Sequence, residues 1–150
     1  MTQPFDLIQY ERYAKIGRLI ARTYTEVMSA LDVELARYDV TAAQYVVISL
    51  VARGHAETAA QVCKELSYNP GAMTRMLDRL EQKNLIRRVR IPGDRRSVKL
   101  ELTPEAEALF PTMFACSAAI LERYYGRLKV EELELVGGVL DTLLGNPTEQ

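Results

Sequence analysis

Two short helical segments, a tight turn between them and a basic hairpin directly after them fill Thr58 to Leu102, and few folds accept that order. Thr58-Ala59-Ala60-Gln61 is a capping box, in which a hydroxyl and an amide three residues apart satisfy each other's backbone donors. It predicts a helix through Leu66, with Val62, Cys63 and Leu66 inward. Asn69 is a good N-cap and Pro70 suits the first helical position, so a second helix begins after a turn of about four residues. That helix is expected over Pro70 to Lys83, burying Met73, Met76, Leu77 and Leu80. Asn84, which tolerates left-handed backbone, stops it.

Leu85 to Ile91 and Ser97 to Leu102 read as strands around the loop Pro92-Gly93-Asp94-Arg95-Arg96. In the second strand Val98, Leu100 and Leu102 alternate with Ser97, Lys99 and Glu101. Helix-turn-helix followed by such a hairpin is a winged helix.

The flanks read as helices. Tyr13, Ile16, Ile20, Tyr24, Val27, Leu31, Leu35 and Tyr38 mark one face of a helix over Tyr10 to Tyr38. Thr41-Ala42-Ala43-Gln44 opens another by a second capping box, and this box outweighs the strand-like run Tyr45 to Val51. Thr103-Pro104 caps a long helix to about Leu128, striped by Leu109, Met113, Ile120 and Tyr124, with Phe110, Phe114, Leu121 and Tyr125 beside them. Pro111 inside it is expected to kink it. A last helix over Glu131 to Leu144 carries Leu133, Val136, Leu140 and Leu143, with Gly145 as its stop. The apolar band of the helix from Thr103 to about Leu128 is wide enough to call for two partners, the chain's own core and a second subunit, whereas the long helix over Tyr10 to Tyr38 packs against a partner subunit or within its own chain.

The net charge of −1 conceals a segregation. Lys64 to Lys99 holds ten Lys or Arg against Glu65, Asp78, Glu81 and Asp94, a net +6 that leaves −7 on the remainder. A basic face on an acidic body attracts phosphates whatever the total. No apolar run approaches the roughly 20 residues of a membrane span, and Met1 to Tyr10 lacks a leader pattern, so a cytoplasmic location is the default. Cys63 and Cys116 are too few for a disulfide scaffold. A single histidine, His55, leaves little acid–base capacity and no metal-ligand set, and no nucleophile constellation or phosphate loop is present. An enzyme is therefore not expected, and no cofactor.

From about Tyr10 to Leu144 the chain resembles the MarR family. The resemblance rests on Gly71-Ala72-Met73-Thr74-Arg75-Met76-Leu77-Asp78-Arg79-Leu80-Glu81, on Asn84-Leu85-Ile86-Arg87-Arg88, and on Gly93-Asp94-Arg95-Arg96-Ser97 followed by Leu102-Thr103. Asn84 and Ala106 stand where that family commonly has Gly. The resemblance implies a single 1–150 domain, mainly α with a small β-hairpin wing. In it residues 41–103 form the winged helix-turn-helix lobe, and 10–38 and 104–145 are dimerisation helices. It also implies a homodimer that regulates transcription at pseudo-palindromic operators in double-stranded DNA. Many such proteins release DNA on meeting a small aromatic or phenolic effector, an oxidant or a metal.

On these grounds Asn69, Gly71, Ala72, Thr74 and Arg75 are the candidates to enter the major groove. Arg75 has the fork that matches guanine O6 and N7, Gly71 and Ala72 permit close approach, and Thr74 suits a thymine methyl or a phosphate. Arg79 is assigned to phosphate or to pairing with Asp78 or Glu81. Arg87, Arg88, Arg90 and Lys99 suit phosphate positioning, although alternation forbids Arg87 and Arg88 pointing the same way. Arg95, or Arg96 in its place, is expected in a narrow minor groove, with Asp94 holding the tip by pairing with Arg96 or another cation. Tyr13, Arg18, Tyr24, Tyr45 and His55 are candidate lining groups for an effector pocket between dimer helices and lobe. The peroxide-sensing branch has its reactive cysteine near the chain start and the urate-responsive branch relies on a tryptophan; neither feature is present here. An architectural or protein-binding winged helix without a ligand response is the rival reading.

Overall fold

The computed structural model describes residues 6–145. The expected lack of a leader and the outer edges of a 1–150 domain fall partly on 1–5 and 146–150, outside the described residues.

Helix α1 spans Leu7–Leu35 and is capped by the Asp6 carboxylate, which accepts from the Ile8 and Gln9 amides. A single 3-10 turn, Ala36–Tyr38, comes next, and Asp39 closes it in the left-handed region at φ 55°. Both predicted capping boxes form. Thr41 with Gln44 starts α2 over Ala42–Ala52, and Thr58 with Gln61 starts α3 over Ala59–Leu66. The β-branched run of α2 is helical, since its cap closes locally and Val47 and Ile48 are fully buried on its inner face. Recognition-type helix α4 covers Pro70–Gln82, and Asn84 takes the expected left-handed conformation just beyond it, at φ 56°.

Strands β1, Ile86–Arg90, and β2, Val98–Leu102, pair antiparallel with Ile86 opposite Leu102 and Arg88 opposite Leu100. The Leu100 amide donates to the Glu57 carbonyl at 2.7 Å, which ties the wing to the loop before α3. Helix α5, Pro104–Tyr125, runs on through Pro111 and ends three residues sooner than the sequence suggests. Helix α6 covers Val130–Leu144, where Glu132 accepts from the Lys129 amide at 2.8 Å and Gly145 stops the helix at φ 71°.

One core joins these elements: Leu31 and Leu35 of α1, Val47 and Ile48 of α2, Val62 of α3, Met73, Leu77 and Leu80 of α4, Ile86 and Leu100 of the wing, and Met113 and Ile120 of α5. Only the stretch of α1 from Val27 onward enters it. Leu7, Ile8, Tyr10, Tyr13, Ile16, Leu19 and Ile20 stay exposed, and α6 buries none of its apolar side chains. No helix among the described residues is long and apolar enough to cross a membrane.

The wing joins α5 at Thr103, whose buried hydroxyl donates to the Asn84 carbonyl at 2.6 Å and accepts from the Ala106 amide at 3.1 Å. Replacing it by valine keeps the volume and strands two backbone groups. Thr103→Val is therefore expected to cost about 1–3 kcal/mol in urea unfolding. A change within about 0.5 kcal/mol, the scatter of neutral surface substitutions, means that this cap does not hold the junction.

Candidate nucleic-acid interface and a neighbouring cavity

Helix α4 turns Met73, Met76, Leu77 and Leu80 inward, which presents Gly71, Ala72, Thr74, Arg75, Asp78 and Arg79 on the opposite side. The Asn69 side-chain oxygen is occupied as the cap, accepting from Gly71 at 2.8 Å and Ala72 at 3.2 Å, so only its amide nitrogen is left for an outside partner. A Cβ on Gly71 would sit 3.1 Å from that oxygen, so glycine here keeps the cap uncrowded. The Thr74 hydroxyl donates back to the Pro70 carbonyl at 3.0 Å, leaving its methyl and its lone pairs to outside partners.

The basic stretch divides into tied and untied cations. Arg88, expected among the phosphate contacts, is turned inward instead. It shares a strand face with buried Ile86, and its guanidinium donates to Asp78 at 2.9 Å, to Glu81 and to the Thr74 carbonyl at 3.5 Å. Its own amide donates to Glu81 at 3.1 Å. Arg87 pairs across the ladder with Glu101 at 3.0 Å, Lys99 reaches Glu57 at 3.7 Å, and Lys83 pairs with Asp39 at 3.5 Å. Arg79 does not pair with Asp78 or Glu81, which lie one and two residues from it on the helix and so do not face it. Lys64, Arg75, Arg79, Arg90, Arg95 and Arg96 are exposed and make no ion pair among the described residues.

The wing tip is shaped by Asp94, though not through the charge pairing the sequence suggests. Its carboxylate accepts from the Arg96 backbone amide at 2.9 Å and from the Ser97 hydroxyl at 2.5 Å. Gly93, at φ 87°, makes the turn that permits this. The Ser97 hydroxyl and then the Arg96 amide hold the Asp94 carboxyl below its ordinary value. Because the cap uses backbone, both guanidinium groups of the tip stay outward. Ser97 carries part of the site and was not singled out by sequence, since a serine beside a loop has no distinctive spacing.

A cavity of about 430 Å³ lies where α1, α2 and α5 meet, walled by Val27, Met28 and Leu31, by Tyr45, Ser49 and Leu50, and by Phe114, Ser117 and Leu121. Arg53 and His55 stand at its edge. Tyr45 stacks on Phe110, with centroids 6.4 Å apart and planes at 16°. Tyr45 and His55 thus sit where expected. Tyr13, Arg18 and Tyr24 do not join them in this chain, because α1 projects beyond the core: Tyr24 lies a turn short of the wall, and Arg18 faces Glu11 at 3.8 Å. Phe114 escaped sequence reading as a cavity residue, since it reaches the cavity from α5, and Arg53, at the end of α2 two residues before His55, carried no distinctive spacing. Cys116 is half-buried, with its thiol 3.8 Å from the Tyr38 hydroxyl. That hydrogen bond, foremost, pushes the Tyr38 phenol up.

A protein-family model described as the MarR family matches residues 40–98. The transcriptional repressor MdtR of Bacillus subtilis is 35% identical over 128 residues, which are 85% of this chain and 80% of that protein. The multiple antibiotic resistance protein MarR of Salmonella typhimurium is 37% identical over 94 residues, 63% of this chain and 65% of its own. Among solved structures, a cysteine-to-serine mutant of MarR from E. coli complexed with operator DNA superposes with a TM-score of 0.77 at 28% identity, covering 93% of this chain and 99% of the other.

The Asp94 cap carries a pH signature. A carboxyl whose folded pKa lies below the unfolded value of about 3.9 contributes stability that is complete above that value and is lost as pH falls through the folded pKa. The Arg96 amide resonance is therefore expected to titrate with a midpoint below about 3.9. A midpoint at or above that value removes the cap from the wing tip.

Proposed function

The chain belongs to the MarR family of DNA-binding transcriptional regulators, and on that premise we propose that it is a homodimeric repressor released by a small aromatic or phenolic acid. The observation that carries this reading is the sorting of cations. Those on the outer face of α4 and at the wing tip are unpaired among the described residues, as are Lys64 and Arg90, while four others in the same stretch are consumed by the chain's own carboxylates. A solvated charge run gives no reason for such sorting.

In this proposal Asn69, Gly71, Ala72, Thr74 and Arg75 meet base edges in the major groove and Arg79 meets phosphate. Arg95 or Arg96 enters the minor groove while Asp94 keeps the tip in shape. Arg88 acts through α4, holding the recognition helix against the wing. Dimerisation through 10–38 and 104–145 is supported by the bare apolar faces of α1 and α6. Full burial of a Leu or Ile is worth about 1.5–3 kcal/mol, and MarR-family proteins act as DNA-binding dimers. Repression accords with the name of the MdtR relative. The cavity supports the effector: a mainly apolar hollow with Tyr45, Arg53 and His55 among its lining residues suits an aromatic carboxylate. A reader of chromosomal operators works in the cytoplasm.

Selection from a random duplex library with the purified protein tests the reading. An enriched inverted repeat, with half-site centres about one helical turn apart, is expected; salt-sensitive binding without a motif leaves only an architectural or protein-binding module. On the selected operator, Arg75→Ala is expected to cost about 1–3 kcal/mol per contact and to relax preference at one position per half-site. Unchanged affinity and preference would remove Arg75 from the bases. Arg79→Gln should lower the slope of log K against log salt by about one per subunit. Arg87→Gln should leave that slope alone, and an equal effect from both would mean that the pairing with Glu101 opens on DNA.

A further inference from the structure

We propose that Lys83 is a positioning residue that sets the distance between the recognition helix and the dimer arm, and with it the half-site spacing the dimer reads. The proposal rests on the dimeric DNA reader of the proposed function. Lys83 comes directly after α4, at the end opposite Gly71, about 18 Å away along the axis at 1.5 Å per residue, and about 12 Å from Arg75. Its ammonium turns from the basic face toward the junction of α1 and α2. There it donates to the Asp39 backbone carbonyl and to Gln44 Oε1 at 3.1 Å, with the Asp39 carboxylate at 3.5 Å. Two hydrogen bonds and one ion pair thus hold the ammonium away from the basic face.

Those acceptors are themselves fixed. Gln44 is buried, and the same Oε1 accepts from the Thr41 amide at 3.1 Å to close the capping box. One oxygen therefore binds the end of α4 to the start of α2. Asp39 holds left-handed backbone at φ 55°, uncommon for a residue with a side chain. The Asp32 carboxylate of α1 accepts from the Ala42 amide of α2 at 2.6 Å. A continuous polar link thus runs from the arm helix α1, through α2, to the far end of the recognition helix.

A lever about 18 Å long swinging by about 10° moves its tip by about 3 Å, close to the rise of one base pair, about 3.4 Å. Holding the far end of α4 is therefore enough to decide which half-site spacing both subunits fit at once.

The experiment uses the full chain and the operator selected by the wild type, with the same half-sites moved one or two base pairs closer or further apart. Lys83→Met, which keeps the aliphatic stem, is expected to lose about tenfold on the preferred spacing and less than twofold on the shifted ones, flattening the preference. Lys83→Arg should restore much of it. Gln44→Glu keeps a capping acceptor and strengthens the tie, so it should sharpen the preference; this variant serves if Lys83→Met fails to fold. An equal loss at every spacing, or an unchanged spacing profile in both variants, overturns the role. A wild type that enriches no inverted repeat brings down the dimeric reader and this role with it, a result visible before any variant is made.

Discussion

The outward face of α4 depends on its inward one. Met73, Met76, Leu77 and Leu80 are buried on a single stripe, and no rotation of the helix keeps them there while changing what it presents. At about 1.5–3 kcal/mol for each side chain, turning the helix away would forfeit an amount comparable to the whole stability of a domain, about 5–15 kcal/mol. Arg75 and Arg79 face outward for that reason rather than through any contact of their own. The Arg88 bridge to Asp78 and Glu81 adds a second restraint, from the wing to the same helix. Partly exposed ion pairs are worth little in stability, so its value lies in fixing an angle between two elements that must meet one duplex.

Charge is used in two ways within one short stretch. Arg87, Arg88 and Lys99 on the strands and Lys83 at the end of α4 find carboxylates in neighbouring elements and become internal struts. Cations on the free helix face and the hairpin tip find none. Asp94, an anion in the middle of a basic tip, serves the same division: by committing its oxygens to the Arg96 amide and the Ser97 hydroxyl, it leaves the flanking guanidinium groups unneutralised. The tip is thus held by backbone geometry and keeps its charge for outside use.

Much of what surrounds the lobe is unfinished within one chain. The first turns of α1 and all of α6 carry exposed leucines, isoleucines, valines and tyrosines that no surface among the described residues covers. Where α1 does meet the body, it walls a cavity with α2 and α5, and Met28 lines both that cavity and the hollow beside Lys83. The arm, the cavity and the polar tie to the recognition helix therefore share one short segment of α1.

Sequence alone determined what local chemistry decides. The two capping boxes, the Asn69-Pro70 start, the left-handed Asn84, the hairpin and the inward stripe of α4 all arise from residues within one or two turns of each other, and they form as read. The left-handed Asp39 and Ser67 were not legible. Aspartate visits that region only in a minority of cases and serine more rarely still, and here the sharp change of direction into the next helix imposes it on both. Which arginine is free and which is tied was also beyond the sequence, because Arg88 finds Asp78 and Glu81 only once β1 lies beside α4. The cavity was half legible for the same reason: Tyr45, Arg53 and His55 lie close in the chain, whereas Phe114 and Ser117 join them only through the packing of α2 on α5. Backbone caps and periodicity act over a few residues and are written in them, while ion pairs and cavity walls depend on distances between elements that only the tertiary structure sets.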